Sequence, residues 1–304
     1  MYIIEENLVL RSSMKSAIVL AGGKSNRFRR AGCSDKALLK IGGKTLLERV
    51  MTVCLEVCDE VVIVGRNSLP REVFGARAIP DAPVKATGPF RGIYTGIREA
   101  KGDLCVVVSV DRPYLKPEVL ELLLGEVSGV HAVVPIDFRG TVYPLLSCIR
   151  RSAVIDGMER VLSSEKKLRA DEPLRMCKRV KFICLSFFRR ADPSLRSFID
   201  IDLPEDVDKE AVNTSPCDEL FKITSASDLY WKGISHMRKN PLRAFESFLK
   251  EASLYEEQGI RMLQLHALAD AYSIGKALGL QLKGLDAELG RMNLEIRGKK
   301  RMPA

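Results

Sequence analysis

The stretch that decides the fold runs from residue 16 to residue 23 and reads SAIVLAGG. A short apolar run that ends in two adjacent glycines is typical of a buried strand followed by a turn. Glycines at positions 22 and 23 allow backbone N–H groups to point toward a ligand. We therefore predict a buried strand that opens into a ligand-facing loop.

Strand and helix signals alternate on both sides of this stretch as far as about residue 201. The predicted strands are 16–20, 60–64, 77–80, 104–110, 131–135, 141–149, 180–185 and 197–201, and the predicted helices are 45–58, 90–100, 117–124 and 151–162. Such alternation predicts an α/β fold of three layers around a Rossmann-like, mostly parallel sheet.

The sequence changes character after about residue 210. Residues 213–218 are polar and include a proline, which is typical of a linker. Four segments beyond residue 226 have helical periodicity, and none resembles a strand. The segments are 229–238, 241–257, 260–278 and 282–296. We predict an N-terminal extension (1–15), an α/β domain (16–212), a linker (213–225) and a small all-α domain (226–304).

Composition bounds the possible partners. Hydrophobic residues make up 46% of the 304 residues, which excludes a disordered chain. The 48 Lys and Arg exceed the 39 Asp and Glu, so the net charge of +9 indicates an anionic partner. Nucleic acid, phosphorylated small molecules and acidic lipid all satisfy that condition.

The sequence carries no signal for a membrane or for export. It contains no run of about 18 apolar residues that would span a membrane. The first 20 residues include an acidic pair and lack a cleavage site of small residues, so we expect no signal peptide. Eight scattered cysteines without a CxxC pair predict reduced thiols in the cytoplasm. Cys54 and Cys58 fit core packing better than metal binding.

Cations follow the first glycine pair. Lys24, Arg27 and Lys36 come after the predicted strand, where backbone amides and basic side chains together suit a polyphosphate. The spacing matches neither the Walker A loop, GxxxxGK[ST], nor the dinucleotide-binding pattern GxGxxG. An ordinary turn with solvated cations is the alternative.

Two aspartates follow predicted strands in the same way. Asp81 comes after the strand at 77–80 and Asp111 after the strand at 104–110. Ligands of open α/β sheets bind beyond the carboxyl ends of the strands. Carboxylates there can hold Mg²⁺, which takes few protein ligands and keeps substrate phosphates. A lone aspartate in such a position otherwise forms a cap or an Asx-turn.

Four motifs in order resemble the molybdenum cofactor guanylyltransferase family. Residues 18–39 resemble its signature of LAGG, a loop with Arg, then DK and an apolar pair. Three further motifs follow in order. The family's GPLAGI corresponds to GPFRGI at 88–93, its CDxPF to VDRPY at 110–114, and its FxNINTPED to FIDIDLPED at 198–206. The resemblance covers about residues 16–210 and omits the helical tail.

The resemblance implies a fold of the nucleotide-diphospho-sugar transferase type and a specific reaction. The phosphate of molybdopterin or Mo-molybdopterin would attack the α-phosphorus of GTP in line, with Mg²⁺, and release pyrophosphate. The residues implied at the nucleotide are Leu20, Ala21, Gly22, Gly23, Lys24, Lys36, Asp81 and Asp111. Lys36 would neutralise phosphate oxygens, Asp111 would bind Mg²⁺, and Asp81 would hold the base or ribose side. Charge and position add Lys24 and Arg27 at the outer phosphates, and Lys36, Asp111 and Arg27 are the catalytic candidates.

Several positions depart from the family pattern. The asparagine after the second strand is Val64 here or is displaced to Asn67, which leaves guanine preference open. Tyr143 replaces a histidine, and Asp200 and Asp202 replace asparagines. We expect Asp202 to be either a second metal ligand or the cap of a helix that starts at residue 204.

The basic stretch 166–181 is the candidate site for an anionic pterin. A solvated surface loop is the alternative. A nucleic-acid surface is not favoured, because the nearby Phe182, Phe187 and Phe188 fit a strand core.

Three functional hypotheses follow. The first is GMP transfer to molybdopterin. The second is a related transferase that uses CTP or another phosphorylated acceptor, such as a sugar phosphate or cobinamide phosphate. The third is a non-catalytic nucleotide-binding regulator with the tail as its interaction module. In each case the tail could form a dimer interface, bind a molybdoenzyme or its chaperone, or simply pack against the rest of the chain.

Overall fold

The fold is described from a computed structural model. The structure describes residues 13–22, 36–65, 72–73, 75–202, 204–209, 211–212, 214–215, 221–224 and 226–297. Gly23, Lys24, Arg27 and Asn67, to which the sequence assigned roles, lie outside these residues.

The described strands form one large sheet and one small hairpin. In chain order they are β1 (Lys15–Leu20), β2 (Lys40–Ile41), β3 (Lys44–Thr45), β4 (Glu60–Val64), β5 (Glu72–Val73), β6 (Ala76–Ile79), β7 (Leu104–Ser109), β8 (Ala132–Ile136), β9 (Leu146–Arg150), β10 (Val180–Cys184) and β11 (Phe221–Thr224). The order across the large sheet is β11-β10-β8-β9-β7-β1-β4-β6-β5, and β2 pairs with β3. Strands β5, β9 and β11 run opposite to the rest. The mostly parallel sheet confirms the predicted fold class.

Helices cover both faces of the sheet. They are α1 (Leu46–Val57), α2 (Pro89–Glu99), α3 (Pro117–Gly125), α4 (Arg151–Leu162), α5 (Glu172–Met176), α6 (Ser227–His236), α7 (Pro241–Glu257), α8 (Arg261–Ala277) and α9 (Lys283–Arg297). Helices α1 and α3 share one apolar cluster with alternate strand residues such as Val19 and Val106. Helices α2 and α4 share the other cluster with Ile18 and Val107. Alternation along buried strands therefore produces the three predicted layers.

The helical tail is continuous with the second of these clusters. Tyr230, Phe248 and Leu263 belong to the same buried group as Val134 of β8 and Phe182 of β10. Strand β11 lies within the range predicted as a linker and pairs antiparallel with β10, Val180 opposite Thr224. The segment before the tail is thus tied to the sheet. None of the helices in the described residues is long and apolar enough to cross a membrane.

Two of the predicted strands are wrong in whole or in part. Residues 197–201 contain the end of a 3₁₀ turn, Arg196–Phe198, and no strand. This segment passes over the carboxyl end of β7, where Ile201 N donates to Asp111 O at 2.9 Å, and its apolar side chains fill the core below. The strand predicted at 141–149 begins only at Leu146, because residues before it close a turn at Gly140, whose φ is 79°.

The cysteines are mostly core residues. Cys54 and Cys58 are buried free thiols, as predicted, and burial raises the pKa of Cys58 to about 12. Cys184 is instead disulfide-bonded, which corrects the expectation that all thiols are reduced.

Candidate functional site

The first strand and its neighbours end together at the carboxyl edge of the sheet. Ala21 N donates to Val64 O at 3.0 Å, and Val110 N donates to Leu20 O at 3.1 Å. Each of these bonds lies at the end of a paired strand, so the pairing is kept up to the point where the chain leaves the sheet. The ends of β1, β4 and β7 therefore form one continuous rim, and Gly22 is the first residue beyond it.

Two glycines make close backbone contact on this rim. A Cβ atom on Gly65 would lie 2.7 Å from Gly22 Cα, and Gly65 has a φ of 92°. Only glycine permits this approach without strain. The sequence analysis missed Gly65, although a glycine directly after a buried strand was a usable signal. Val64, by contrast, is buried in the apolar core, so its side chain is not accessible to a ligand at the rim.

Lys36 lies between two carboxylates at the same edge. Its Nζ is 2.9 Å from Asp111 Oδ2 and 3.2 Å from Asp202 Oδ1. Burial by itself lowers the pKa of Lys36, but the two carboxylates outweigh burial and raise it. The ammonium is therefore charged, and Asp111 is also held by the Ser109 hydroxyl, which donates to Oδ1.

The two carboxylates fit a magnesium ion in number and type. No group of three or more His, Cys, Asp and Glu that could hold a metal is found among the described residues. Mg²⁺ is commonly bound by one or two carboxylates and completed by substrate phosphates and water. Asp111 and Asp202 converge on one point, where the Lys36 ammonium lies.

Asp81 lies on the rim beside helix α2. Its Oδ2 accepts from Arg91 Nη2 at 2.8 Å, and its Oδ1 lies 3.7 Å and 3.8 Å from where Cβ atoms on Gly65 and Gly92 would stand. Arg91 belongs to the GPFRGI motif, yet the sequence analysis gave it no role. The structure brings Asp81, Gly22 and Gly65 to one side of the rim.

Asp200 pairs with a residue that the sequence analysis also missed. Arg112 Nη2 lies 2.7 Å from Asp200 Oδ1, and the Arg112 guanidinium lies 5.5 Å from the centre of the Tyr143 ring. The two aspartates that replace family asparagines therefore each face a cation, Arg112 for Asp200 and Lys36 for Asp202. Such pairing offsets the negative charge that these replacements add near the site.

Part of the basic stretch 166–181 does not face solvent as a rim for a pterin would require. Three of its cations, Lys166, Arg169 and Arg175, lie against acids of the stretch and the tail. Arg175 has no exposed side-chain area. Buried, paired cations cannot attract an anion from solvent, so this hypothesis is wrong for these residues.

The chain is similar to proteins of one family. A family model described as MobA-like NTP transferase domain matches residues 17–175. A probable molybdenum cofactor guanylyltransferase of Methanosarcina acetivorans is 30% identical over 207 residues, which cover 65% of this chain and 90% of that protein. A molybdenum cofactor guanylyltransferase of Desulfosudis oleivorans is 29% identical, over 64% and 93% of the two chains.

Solved structures agree with these relatives. The crystal structure of molybdopterin-guanine dinucleotide biosynthesis protein A from Archaeoglobus fulgidus has a TM-score of 0.52 and 32% identity, covering 64% of this chain and 95% of that one. A 4-diphosphocytidyl-2C-methyl-D-erythritolsynthase from Anaerococcus prevotii has a TM-score of 0.51 at 16% identity, over 66% of this chain and 96% of that one, and shows the shared fold alone. This chain therefore belongs to the MobA-like NTP transferase family and is a nucleotidyltransferase.

Proposed function

We propose that the protein transfers GMP from GTP to the phosphate of molybdopterin or Mo-molybdopterin and releases pyrophosphate. The observation that carries this proposal is the Lys36 ammonium, held between Asp111 and Asp202 at the sheet edge that also carries the Gly22–Gly65 contact. The names of the relatives support the acceptor and the base, since they are guanylyltransferases of the molybdenum cofactor.

The reaction makes modest demands on the protein. The attacking group is a phosphate that is already an anion, so no general base is required. The barrier arises from bringing anions together, and catalysis rests on alignment and on cancelling charge. Lys36 is suited to this role, because its charged ammonium can exchange carboxylate partners for phosphate oxygens.

The remaining residues position the nucleotide. The glycine contact keeps side chains away from the rim, so a nucleotide can lie against the backbone of Leu20, Ala21 and Gly22. Asp81, held by Arg91, is the proposed contact for the ribose or the base. Asp111 and Asp202 would hold Mg²⁺, which when bound supplies charge neutralisation at the phosphates.

The test is a pyrophosphate-release assay. The purified full-length protein is incubated with Mg²⁺, one nucleoside triphosphate at a time, and molybdopterin or Mo-molybdopterin. We expect release with GTP that depends on the acceptor. Release with CTP alone would identify the cytidylyl alternative, and no release with any nucleotide would overturn the catalytic proposal in favour of a regulator.

A further inference from the structure

The connection between β8 and β9 forms a structured hairpin at the rim. We refer to residues 137–143 as the 137–143 hairpin. Asp137 Oδ1 accepts from the backbone N–H groups of Arg139 and Thr141, at 2.9 Å each, and Asp137 N donates to Thr141 O at 3.0 Å. These bonds give the tip a defined shape, and they use the one carboxylate of the hairpin internally.

The base of the hairpin adjoins the proposed site. Tyr143 lies against Arg112, which pairs with Asp200, two residues before Asp202. Burial raises the pKa of the Tyr143 hydroxyl, Asp137 and Asp200 raise it further, and Arg112 and Arg139 oppose them. The charges of the hairpin and of the site thus act on the same hydroxyl.

The tip of the hairpin exposes an aromatic ring with a cation above it. Phe138 is 43% exposed, and in the described part of the chain it is the only aromatic among the exposed large hydrophobic residues. The Arg139 guanidinium lies 4.9 Å from the centre of its ring. A ring and a guanidinium together can bind a flat heterocycle that carries anionic groups, one by stacking and the other by charge-assisted hydrogen bonds.

The helical tail contacts the tip of this hairpin through the start of α8. Met262 N, at the start of α8, donates to Gly140 O at 3.0 Å. Gly140 has a φ of 79°, and a Cβ atom there would overlap the Gly259 carbonyl and lie 2.6 Å from Arg261 N. The junction between α7 and α8 is itself held by Lys222 of β11, whose Nζ donates to Gln258 O at 2.9 Å.

We propose that the 137–143 hairpin recognises the acceptor through Phe138 and Arg139, and that the helical tail holds this hairpin in place. The acceptor is of the class of flat heterocycles with an anionic group. The inference rests on the proposed function for the identity of the reaction, but it concerns a different binding surface from the nucleotide contacts.

The first experiment measures the binding of the acceptor directly. Binding of molybdopterin to the full-length protein, without nucleotide, is followed by calorimetry for wild type, Phe138→Ala, Arg139→Ala and the double variant. We expect the dissociation constant to rise about tenfold in the double variant. Arg98→Ala is the matched control, because Arg98 lies 5.6 Å from the Tyr94 ring at the far end of α2. An unchanged constant in the double variant would overturn the role of the hairpin.

The second experiment tests the tail. Gly140→Ala is compared with Gly129→Ala, which has a φ of 67° but no atom near its Cβ position. Both substitutions carry the strain of a left-handed residue, and only the first collides with the tail. We expect the acceptor KM to rise several-fold in Gly140→Ala alone, with the GTP KM unchanged in both. If Gly140→Ala and Gly129→Ala had the same KM for the acceptor, the role of the tail in holding the hairpin would be overturned.

These readouts separate the two proposals. Wild-type protein that binds molybdopterin but releases no pyrophosphate would contradict the proposed reaction and leave the hairpin assignment standing. Wild-type turnover with unchanged acceptor binding in the variants would contradict the hairpin assignment alone.

Discussion

Arg175 and Glu251 form a two-point ion pair in which the Nε–Oε1 and Nη2–Oε2 distances are both 2.8 Å and neither side chain is exposed. Arg175 lies on α5 of the α/β domain, and Glu251 lies on α7 of the tail. Asp270 of α8 lies 2.7 Å from Arg175 as well. The two parts of the chain therefore share one buried cluster of charges and are held together by it.

Breaking this pair on one side should be costly. Glu251→Gln leaves the Arg175 guanidinium buried with one fewer carboxylate, and we expect a loss of about 3–5 kcal/mol in the free energy of unfolding. This loss is measured by urea unfolding followed through the fluorescence of Trp231, the single tryptophan of the sequence. The centre of its ring lies 4.6 Å from the Arg160 guanidinium of α4, so its fluorescence changes when the tail separates from the α/β domain. Glu246→Gln, at an exposed position of the same helix, is the control and should change little. Equal midpoints for both variants would contradict the role of the pair.

Stability should also fall in acid through Asp171. Burial alone raises the pKa of this carboxyl, but His266 at 2.8 Å, Arg175 and Arg169 outweigh burial and lower the pKa to about 2. A pKa below the ordinary value of 3.8 means that the ionised carboxylate stabilises the fold above that value. That contribution is lost as the pH falls from about 4 toward about 2.

The measurement is the urea midpoint as a function of pH. Asp171→Asn should be less stable than wild type at neutral pH and should show a shallower decline between about pH 4 and about pH 2. If both proteins lose stability with the same slope in that window, Asp171 does not carry the acid sensitivity.

Asp111→Asn should stop the reaction without unfolding the protein. The substitution removes one of the two carboxylates around Lys36 while Asp202 still pairs with the ammonium. We expect kcat to fall about a hundredfold or more, as when a main electrostatic contact of a transition state is lost. Steady-state pyrophosphate release measures the effect, and circular dichroism checks the fold. Turnover near that of wild type would show that the proposed metal ligand lies elsewhere.

Gly65→Ala should weaken the nucleotide site. The new methyl group would lie 2.7 Å from Gly22 Cα at a φ of 92°, so the rim must open. We expect a loss of about 1–3 kcal/mol in stability and a higher KM for the nucleotide. Gly43→Ala is matched, since Gly43 has a φ of 82° and no atom within 4 Å of the Cβ position. A rise in KM shared by both variants would point to strain rather than to the rim contact.

Much of the fold could be predicted because its signals are local. The strand at Glu60–Val64 and the helix at Pro241–Glu257 were predicted with the observed bounds. Residues 197–201 were misjudged because an apolar run indicates burial without saying whether the chain pairs in the sheet. The strand Phe221–Thr224 was missed because its pairing partner, β10, lies about 40 residues earlier in the chain.

The residues of the candidate site also divide into those that local signals identified and those that they did not. Asp81 and Asp111 were found because each follows a strand, and parallel strands bring their carboxyl ends to one edge. Arg91, Arg112 and Gly65 were missed, because their partners are chosen by contacts across loops and between elements.

The sequence by itself determined which residues end strands, which helices have an apolar face and which motifs mark a nucleotidyltransferase, because periodicity and turn chemistry act over a few residues. Only the tertiary structure decided which charged side chains form pairs. It directed Lys166, Arg169 and Arg175 inward to the acids of the tail, and it placed Lys36 between Asp111 and Asp202. Charges interact through space, so residues far apart in the chain set their partners only once the fold has formed.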